Sequence, residues 1–393
     1  MQLQSPFPCR RLLSRALLLL ATAMLANACR DNPAAPVPSV KGLVTVSATG
    51  APLAGAKVSI GDVTTIAGNN GRFELTGLIA GPATLRVAAT GFEIFESDIL
   101  VADGPVTRDI PLKRIELFQL TGYAVYVPAA VAQVRGVLIT LGGPDTRGFA
   151  SAGSFGAPAP SVEASLQSMG QQLRAMAASK GLAILGTSQA AMPNGSVSDG
   201  SIVAAIQQAA LVSGRDDLKN APFLVYAISA GGPEASGFAA RNAERVAGLF
   251  LKVPLSFESI SSGPALGIPT YVILAELDVL VNNTTVTAAY RANRDGGALW
   301  ALALERGVSH FGVSPAQRDL AINWMNTILG LRLESGSSTA LRPISEPLGW
   351  LGDPSSTSVM PWSSFTGNPR SASWLPSQGT AEEWRTFVKA GLP

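Results

Sequence analysis

Residues 223 to 232 read Phe-Leu-Val-Tyr-Ala-Ile-Ser-Ala-Gly-Gly. The first six are apolar or aromatic and favour a buried strand, the strand ends at Ser229, and a segment compatible with a helix follows. A serine on a sharp strand-to-helix turn usually lies in the pattern G-x-S-x-G, because only small neighbours let the backbone close so tight a turn. The pattern here is Ala227-x-Ser229-x-Gly231, in which the next smallest residue replaces the first glycine. This stretch therefore predicts a nucleophile elbow with Ser229 as the nucleophile.

The chain offers a single partner for that serine. A serine hydroxyl is a weak nucleophile until a base of near-neutral pKa takes its proton, and His310 is the only histidine in the sequence. A lone histidine is more often a core residue. This one follows a predicted strand and lies in a glycine-containing loop between Ser309 and Phe311, which favours its assignment as the general base.

A second serine has a similar local pattern. Ser154 lies in Ala152-Gly-Ser154-Phe-Gly156, within a loop rich in glycine, alanine and proline. No strand precedes it, and an elbow needs a strand that leads into the turn. Ser154 is therefore the weaker candidate.

The composition limits what the chain can bind. Its 393 residues leave room for two domains, only 14% of them are charged, and the formal net charge is +2. There is no basic block or stripe, so the sequence gives no support for a nucleic-acid partner. A catalytic metal site typically takes several histidine or carboxylate ligands, and one histidine argues against such a site. We therefore expect neither a metal nor another cofactor.

Residues 1–28 have the order of a secretory signal peptide. A basic stretch at residues 10–15 precedes an apolar run at residues 16–25, and small residues follow. The run is too short for a comfortable membrane span. Residues 29–40, with several prolines, alanines and valines, are the predicted tether to the first folded domain.

The end of this leader raises the question of a lipid anchor. Residues 25–29, Leu-Ala-Asn-Ala-Cys, are similar to a bacterial lipobox, so Cys29 is the predicted lipidation site. The alternative is cleavage after Ala-x-Ala by ordinary signal peptidase. The other cysteine, Cys9, lies within the leader, so the mature chain has no disulfide framework. We expect an exported protein, anchored by lipid to the periplasmic or extracellular face of the cell envelope, or otherwise secreted.

Residues 41–113 alternate apolar and polar residues in short segments separated by turn clusters, which predicts a small all-β sandwich. The string from Gly50 to Val58, the later Gly71-Arg-Phe-Glu-Leu and the tripeptide Thr-Gly-Phe at residues 90–92 resemble the carboxypeptidase regulatory-like domain. A zinc carboxypeptidase needs histidine ligands, so the resemblance does not imply that activity. We expect a spacer or adhesion module, with carbohydrate or protein binding as the alternative.

Residues 114–331 alternate strands and helices, which predicts an α/β fold with a mostly parallel sheet flanked by helices. The predicted strands begin at Gly122, Gly136, Leu182, Phe223, Val246, Thr270 and Leu299, and the predicted helices span residues 161–179, 202–211 and 315–329. Ser161 is expected to cap the first helix, and Asn282 and Asn283 are expected in a turn.

This succession resembles the α/β-hydrolase fold of serine esterases. Ser229, Asp278 and His310 follow one another in the order of nucleophile, acid and base that this fold uses. The resemblance implies that Asp278 holds the second imidazole nitrogen and stabilises the imidazolium. Glu276 competes for this role, but Asp278 lies farther past the predicted strand, where a loop reaches the histidine more easily.

The family has an oxyanion loop after an early strand, and the segment Leu-Gly-Gly-Pro ending at Pro144 stands at that place. The resemblance implies that the backbone N–H groups of Gly143 and Ala230 meet the negative charge that develops on the substrate. Proline has no N–H, which makes Gly143 the donor in this loop. Asp145 and Arg147 follow it and could contact substrate, although a solvated loop is the favoured interpretation.

The remaining tail, residues 332–393, is unusual in composition. It carries four of the six tryptophans: Trp350, Trp362, Trp374 and Trp384. Disordered linkers avoid aromatic residues, so we expect the tail to pack onto the hydrolase domain and to contain a short helix near residues 380–389. Either it covers an apolar flank of the sheet, or one or more tryptophans line the substrate cleft.

The sequence thus predicts an exported serine hydrolase that cleaves carboxylic esters through an acyl-enzyme. Within the enzymes, the alternatives are a peptidase or a depolymerase of polyesters or polysaccharide esters. A catalytically silent binding or scaffold protein is the alternative from another class, and the complete, correctly ordered set of three residues argues against it. The expected partners are a small or polymeric ester, a membrane through the lipid anchor, and carbohydrate or protein at the β-sandwich.

Overall fold

The computed structural model describes residues 36–157, 159–188, 197–258, 263–334 and 340–390. The predicted signal peptide, Cys29 and most of the predicted tether lie outside these ranges. Within them, no helix combines the length and the hydropathy that crossing a membrane requires.

The N-terminal part is built from strands alone. They are β1 (Ser39–Val46), β2 (Lys57–Ile60), β3 (Val63–Ile66), β4 (Arg72–Thr76), β5 (Gly81–Ala88), β6 (Phe95–Val101), β7 (Pro105–Thr107) and β8 (Ile110–Leu112). One sheet has the order β4-β1-β7 with β8 also paired to β1, and the other has the order β3-β2-β5-β6. The alternating apolar residues face a common core that includes Val44, Val58 and Leu85. The predicted β-sandwich is confirmed.

The second part alternates strands and helices around one large sheet. Its elements are β9 (Leu117–Leu120), β10 (Tyr123–Tyr126), β11 (Gly136–Gly142), α1 (Arg147–Ser151), α2 (Pro160–Lys180), β12 (Leu182–Thr187), α3 (Asp199–Ser213), β13 (Phe223–Ile228), α4 (Gly231–Arg241), β14 (Val246–Lys252), β15 (Thr270–Ala275), α5 (Asn283–Asp295), β16 (Trp300–Glu305) and α6 (Pro315–Arg332). Single 3-10 turns lie at Asp216–Leu218 and Pro264–Gly267.

The order of the strands identifies the fold. The sheet runs β9-β10-β12-β11-β13-β14-β15-β16, which is 1-2-4-3-5-6-7-8 in chain order. The strand β10 is antiparallel to both of its neighbours. The remaining six strands, β11 to β16, are parallel to one another. This is the arrangement of the α/β-hydrolase fold, so the predicted fold class is confirmed. The central strand β13 is buried at every position, because helices cover both faces of a parallel sheet, and its sequence is correspondingly apolar throughout.

The two parts meet where the sequence has Thr90-Gly-Phe92. Gly91 has a φ of +79°, and a β-carbon there would lie 2.1 Å from the backbone oxygen of Ser213, at the end of α3. Its carbonyl accepts a hydrogen bond from the N–H of Ile115, and the guanidinium of Arg114 lies over the ring of Phe92. A glycine is needed here both for the backbone angle and for the close approach.

Two local predictions were wrong. The helix α2 begins at Pro160, so Ser161 lies inside the helix and Ala159 occupies the capping position without a side-chain hydrogen bond. Asn282 and Asn283 do not form a turn; the Asn282 side chain accepts a hydrogen bond from the N–H of Thr285 and caps α5. Asparagine favours both turns and helix N-termini, so composition alone did not separate the two outcomes.

The tail packs against the edge strand β16. Its elements are β17 (Trp350–Gly352), β18 (Val359–Pro361), β19 (Ser373–Leu375) and α7 (Gln378–Lys389), with 3-10 turns at Glu346–Leu348, Trp362–Ser364 and Pro369–Ser371. The Ser373 hydroxyl accepts a hydrogen bond from the N–H of Leu302, and the Trp384 indole N–H donates to the Leu302 carbonyl at 2.8 Å. Both Trp374 and Trp384 are 1% exposed. The tail therefore covers the free edge of the sheet, which would otherwise present unpaired backbone groups.

We expect Trp384→Ala to lower the free energy of unfolding by about 3–5 kcal/mol, because it removes a fully buried indole and leaves the Leu302 carbonyl without one of its donors. Urea unfolding measures the change. Lys389→Ala, at an exposed position of the same helix, is the matched control and should stay within about 0.5 kcal/mol. A folded Trp384→Ala protein of unchanged stability and altered substrate preference would instead place this tryptophan at the substrate cleft.

Candidate active site

Ser229 lies at the turn between β13 and α4 with a φ of +56°, a region that residues with a β-carbon rarely occupy. Three backbone hydrogen bonds hold this conformation. The Ser229 N–H donates to the carbonyl of Lys252 at 2.9 Å, and its own carbonyl accepts from the N–H groups of Gly232 and Leu255 at 3.0 and 3.1 Å. The strained turn places the hydroxyl at the carboxyl end of the central strand, as the sequence pattern predicts.

The small residues after the serine are required by their surroundings. A β-carbon on Gly231 would lie 2.6 Å from the carbonyl carbon of Leu141, and one on Gly232 would lie 2.5 Å from the β-carbon of Pro254. At such distances a β-carbon would force the neighbouring backbone or side chain to shift. Ala227, in contrast, lies within β13, where a methyl group packs in the core, so alanine serves in place of the usual glycine.

The structure brings the three predicted residues together. His310 Nε2 lies 2.8 Å from Ser229 Oγ, and His310 Nδ1 lies 2.7 Å from Asp278 Oδ2. The side chains of His310 and Asp278 are 3% and 0% exposed. Because an ionised carboxylate only accepts, Nδ1 carries the proton in this arrangement and Nε2 is left to accept the serine O–H.

The aspartate itself is fixed in place. Asp278 Oδ1 accepts hydrogen bonds from the N–H groups of Leu280 and Val281, at 2.8 and 2.9 Å. With Oδ2 bound to the imidazole, both carboxylate oxygens are satisfied, so hydrogen bonds within the loop hold the carboxylate that orients the imidazole.

The competing residues lie elsewhere. Glu276 pairs with Arg306 at 2.7 Å and accepts the N–H of Gly307 at 2.9 Å. The backbone hydrogen bond from Gly307, followed by the Arg306 side chain, lowers the pKa of Glu276. The exposed Ser154 hydroxyl accepts the N–H of Gly156 within its own loop. Neither residue contacts His310 among the described interactions.

Two backbone donors are available at the serine. Among the described residues, neither the Gly143 N–H nor the Ala230 N–H donates a hydrogen bond to the protein. A β-carbon on Gly143 would lie 4.0 Å from Ser229 Oγ, and Ala230 caps the N-terminus of α4, where the helix dipole favours negative charge. In the same loop, Asp145 uses its N–H to bind the Phe155 carbonyl.

The two charged residues of this loop satisfy each other. Arg147 Nε donates to Asp145 Oδ1 at 2.9 Å, and the same carboxylate accepts the Arg147 N–H. The hydrogen bond to Asp145 raises the pKa of Arg147. We find no described contact that directs either side chain at Ser229.

Sequence reasoning missed two residues that support the site. Thr146 is fully buried, in the loop that follows Gly143. Its hydroxyl donates to the Thr140 carbonyl at 2.7 Å and accepts the Thr187 N–H at 3.0 Å, and it thereby connects this loop to β11 and β12. Lys252 ends the apolar strand β14 and is 1% exposed. A lone lysine at the end of an otherwise apolar strand is a signal that could have been read from the sequence.

Several exposed apolar residues adjoin the three residues, either in the chain or through a backbone hydrogen bond. We call them the apolar collar; its exposed members are Leu277, Val279, Leu280, Phe311 and Leu255, whose N–H binds the Ser229 carbonyl. Leu277 and Val279 flank Asp278 in the chain, and the ring of Phe311 contacts His310 edge-on at 4.7 Å between centroids. Over the described ranges, no group of three or more histidine, cysteine or acidic side chains is arranged to hold a metal ion.

Comparison with a protein-family model gives a match to the carboxypeptidase regulatory-like domain over residues 39–113, which confirms the resemblance of the N-terminal part. Comparison with curated proteins gives no match.

Solved structures similar to the chain include three hydrolases. The S-formylglutathione hydrolase from Agrobacterium tumefaciens is 14% identical, with a TM-score of 0.38, and the match covers 55% of this chain and 95% of that one. A thermostable esterase is 12% identical with a TM-score of 0.39, over 73% of this chain and 98% of that one. An arylesterase is 14% identical with a TM-score of 0.35, over 55% and 82%. The fold assignment rests on the order of the strands in this chain, which is that of the α/β-hydrolase fold.

Proposed function

We propose that this protein is a serine hydrolase that cleaves carboxylic esters through an acyl-enzyme, with Ser229 as nucleophile, His310 as general base and Asp278 as the residue that orients the histidine. The observation that supports this most directly is the imidazole placed between hydroxyl and carboxylate, at 2.8 and 2.7 Å. These are hydrogen-bond distances already suited to proton transfer.

The reaction follows from that arrangement. Ser229 Oγ bonds to the ester carbonyl carbon while its proton passes to His310 Nε2, and Asp278 stabilises the imidazolium that forms. The bond to the alcohol oxygen then breaks, and the alcohol leaves with the proton from Nε2. A water molecule next gives a proton to Nε2 and attacks the acyl carbon, which releases the carboxylic acid and returns the proton to Ser229.

The N–H groups of Gly143 and Ala230, which donate to no group within the described residues, are the proposed oxyanion donors. Negative charge develops on the carbonyl oxygen when Oγ adds, and donors that are already oriented stabilise it without reorganisation. Losing one such donor typically raises the barrier by about 3–4 kcal/mol. The proximity of Gly143 to Oγ and the position of Ala230 at a helix N-terminus support this role.

The apolar collar favours an ester over a peptide as the substrate. Apolar surface removed from water stabilises a complex by about 25 cal/mol per Å². A peptide laid over the same surface would lose water from its amide groups, and each unpaired group costs about 1–3 kcal/mol. An ester with apolar acyl or alcohol groups has no N–H groups to leave unpaired.

We also propose that the protein is exported and that Cys29 carries a lipid anchor, on the basis of the leader sequence. Mass spectrometry of the mature N-terminus tests this. A diacylglycerol-modified Cys29 supports the anchor, a free thiol or an N-terminus at another residue contradicts it, and neither outcome affects the proposed chemistry.

We expect the purified protein to react with a fluorophosphonate probe and to hydrolyse nitrophenyl esters, and Ser229→Ala to abolish both. Ser154→Ala is the matched control and should react like the wild type, because Ser154 is exposed and remote from His310 in its described contacts. Labelling that survives Ser229→Ala would move the nucleophile to another residue. Labelling of the wild type without turnover of any ester would favour peptides or polymeric esters.

The choice of acid has its own test. We expect Asp278→Asn to lower kcat by about 10³–10⁴-fold, because an amide cannot hold the imidazole in the tautomer that leaves Nε2 free to accept. Glu276→Gln, two residues away, should change kcat by less than about threefold, since its carboxylate binds Arg306 and Gly307. Steady-state kinetics on one ester compare the two variants. Equal losses would mean that the loop as a whole, and not Asp278 alone, orients the histidine.

A further inference from the structure

Lys252 is a buried cation for which the proposed reaction has no direct use. It is the last residue of β14, the other six being Val-Ala-Gly-Leu-Phe-Leu, and it is 1% exposed. Burial of an ammonium group is strongly unfavourable unless hydrogen bonds and opposite charges compensate it. Its contacts must therefore compensate for its burial, and they lie at the candidate active site.

Those contacts reach both the nucleophile and the base. Lys252 Nζ donates a hydrogen bond to the backbone carbonyl of His310 at 2.8 Å. The backbone carbonyl of Lys252 accepts the N–H of Ser229 at 2.9 Å. One residue thus connects the strained serine turn with the loop that carries the imidazole.

Charged groups near Lys252 stabilise its protonated form. Burial lowers the pKa of Lys252 to about 8, while the charges of Glu305 and Asp278 favour its protonated form. Glu305 is itself 6% exposed, and its carboxylate accepts a hydrogen bond from Ser314, the residue that caps α6. At neutral pH the side chain therefore remains an ammonium with a donor aimed at the His310 carbonyl.

We propose that Lys252 is a positioning residue for the hydrolase site: its ammonium holds the backbone of His310, and thereby keeps Nε2 within reach of Ser229 Oγ. This inference rests on the proposed function. It assigns Lys252 no contact with substrate and no proton transfer. Without the ammonium, the His310 carbonyl loses its buried donor. The loop can then shift, and a shift of less than the present 2.8 Å between Nε2 and Ser229 Oγ is enough to break that hydrogen bond.

The Lys252→Met variant separates two roles for this lysine, one that only stabilises the fold and one that positions the histidine. Methionine has a similar length and no charge, so Lys252→Met removes the donor to the His310 carbonyl and leaves the buried Glu305 without its cation, which lowers the free energy of unfolding. Small displacements of catalytic groups, in contrast, can cost as much as a hundredfold in rate. We therefore expect kcat per folded molecule to fall by about 10- to 100-fold with KM nearly unchanged, whereas a purely structural lysine would lower only the melting temperature.

The charge on Lys252 gives a second signature. Its pKa is lower in the folded protein than in the unfolded chain, so between about pH 8 and pH 10 the unfolded state binds more protons, and the free energy of unfolding gains a contribution that rises with pH. Lys252→Met should lack this rise. Urea unfolding of both proteins at pH 7.5, 8.5 and 9.5 compares the slopes.

The closing experiment uses the full chain and four proteins: wild type, Lys252→Met, Lys252→Gln and Lys219→Met. Lys219 is an exposed lysine paired with Asp216 and serves as the control, with activity expected to match the wild type. Glutamine keeps an N–H donor without the charge and should lose less activity than methionine. Measurements are kcat and KM on a nitrophenyl ester, with kcat expressed per serine labelled by fluorophosphonate, so that unfolded molecules do not count.

A lowered kcat per labelled serine with unchanged KM in Lys252→Met supports the proposal. A wild-type kcat per labelled serine in Lys252→Met overturns it and leaves the proposed function intact. A wild-type protein that neither labels nor hydrolyses esters overturns the proposed function, and the role of Lys252 with it.

Discussion

The hydrogen bond between His310 Nε2 and Ser229 Oγ joins residues that are 81 positions apart, and it depends on the parallel register of the sheet. The strands β13, β15 and β16 run in the same direction, so the loops that follow them leave from one edge. Ser229, Asp278 and His310 follow these three strands. A change in the register of any strand would move one side chain by a residue spacing of about 3.3 Å and break a contact of less than 3 Å.

The turn at Ser229 shows how the fold maintains an unfavourable conformation. A left-handed serine costs about 1–3 kcal/mol, and the three backbone hydrogen bonds to Lys252, Gly232 and Leu255 contribute about 0.5–1.5 kcal/mol each. The two terms are of similar size, so the turn is maintained without a large surplus. The same hydrogen bonds fix the position of the Ser229 backbone, and the conformation that costs stability is the one that presents the proposed nucleophile.

Much of the fold could be predicted from the sequence because its signals are local. The apolar run at residues 223–228 and the alternation at residues 41–113 each reflect which faces of a strand are buried. The support around the site could not be predicted in the same way. Thr146 and Lys252 act through strands that are neighbours only in space, and the sequence does not state which carbonyl each will meet. From the sequence, Asp278 is preferred to Glu276 only because it lies farther past the strand. The structure gives a different reason: Glu276 already accepts hydrogen bonds from Gly307 and Arg306.

The tail connects the stability of the sheet to the geometry of the site. β16 is the last strand of the sheet, and the tail binds its free edge at Leu302 through Ser373 and Trp384. The same strand ends at Glu305, beside the buried Lys252, and His310 lies five residues farther along the chain. An uncovered edge strand is the part of a sheet most free to shift, and here such a shift would carry the histidine loop with it. A Trp-rich segment outside the hydrolase sheet therefore holds the strand from which the proposed general base extends.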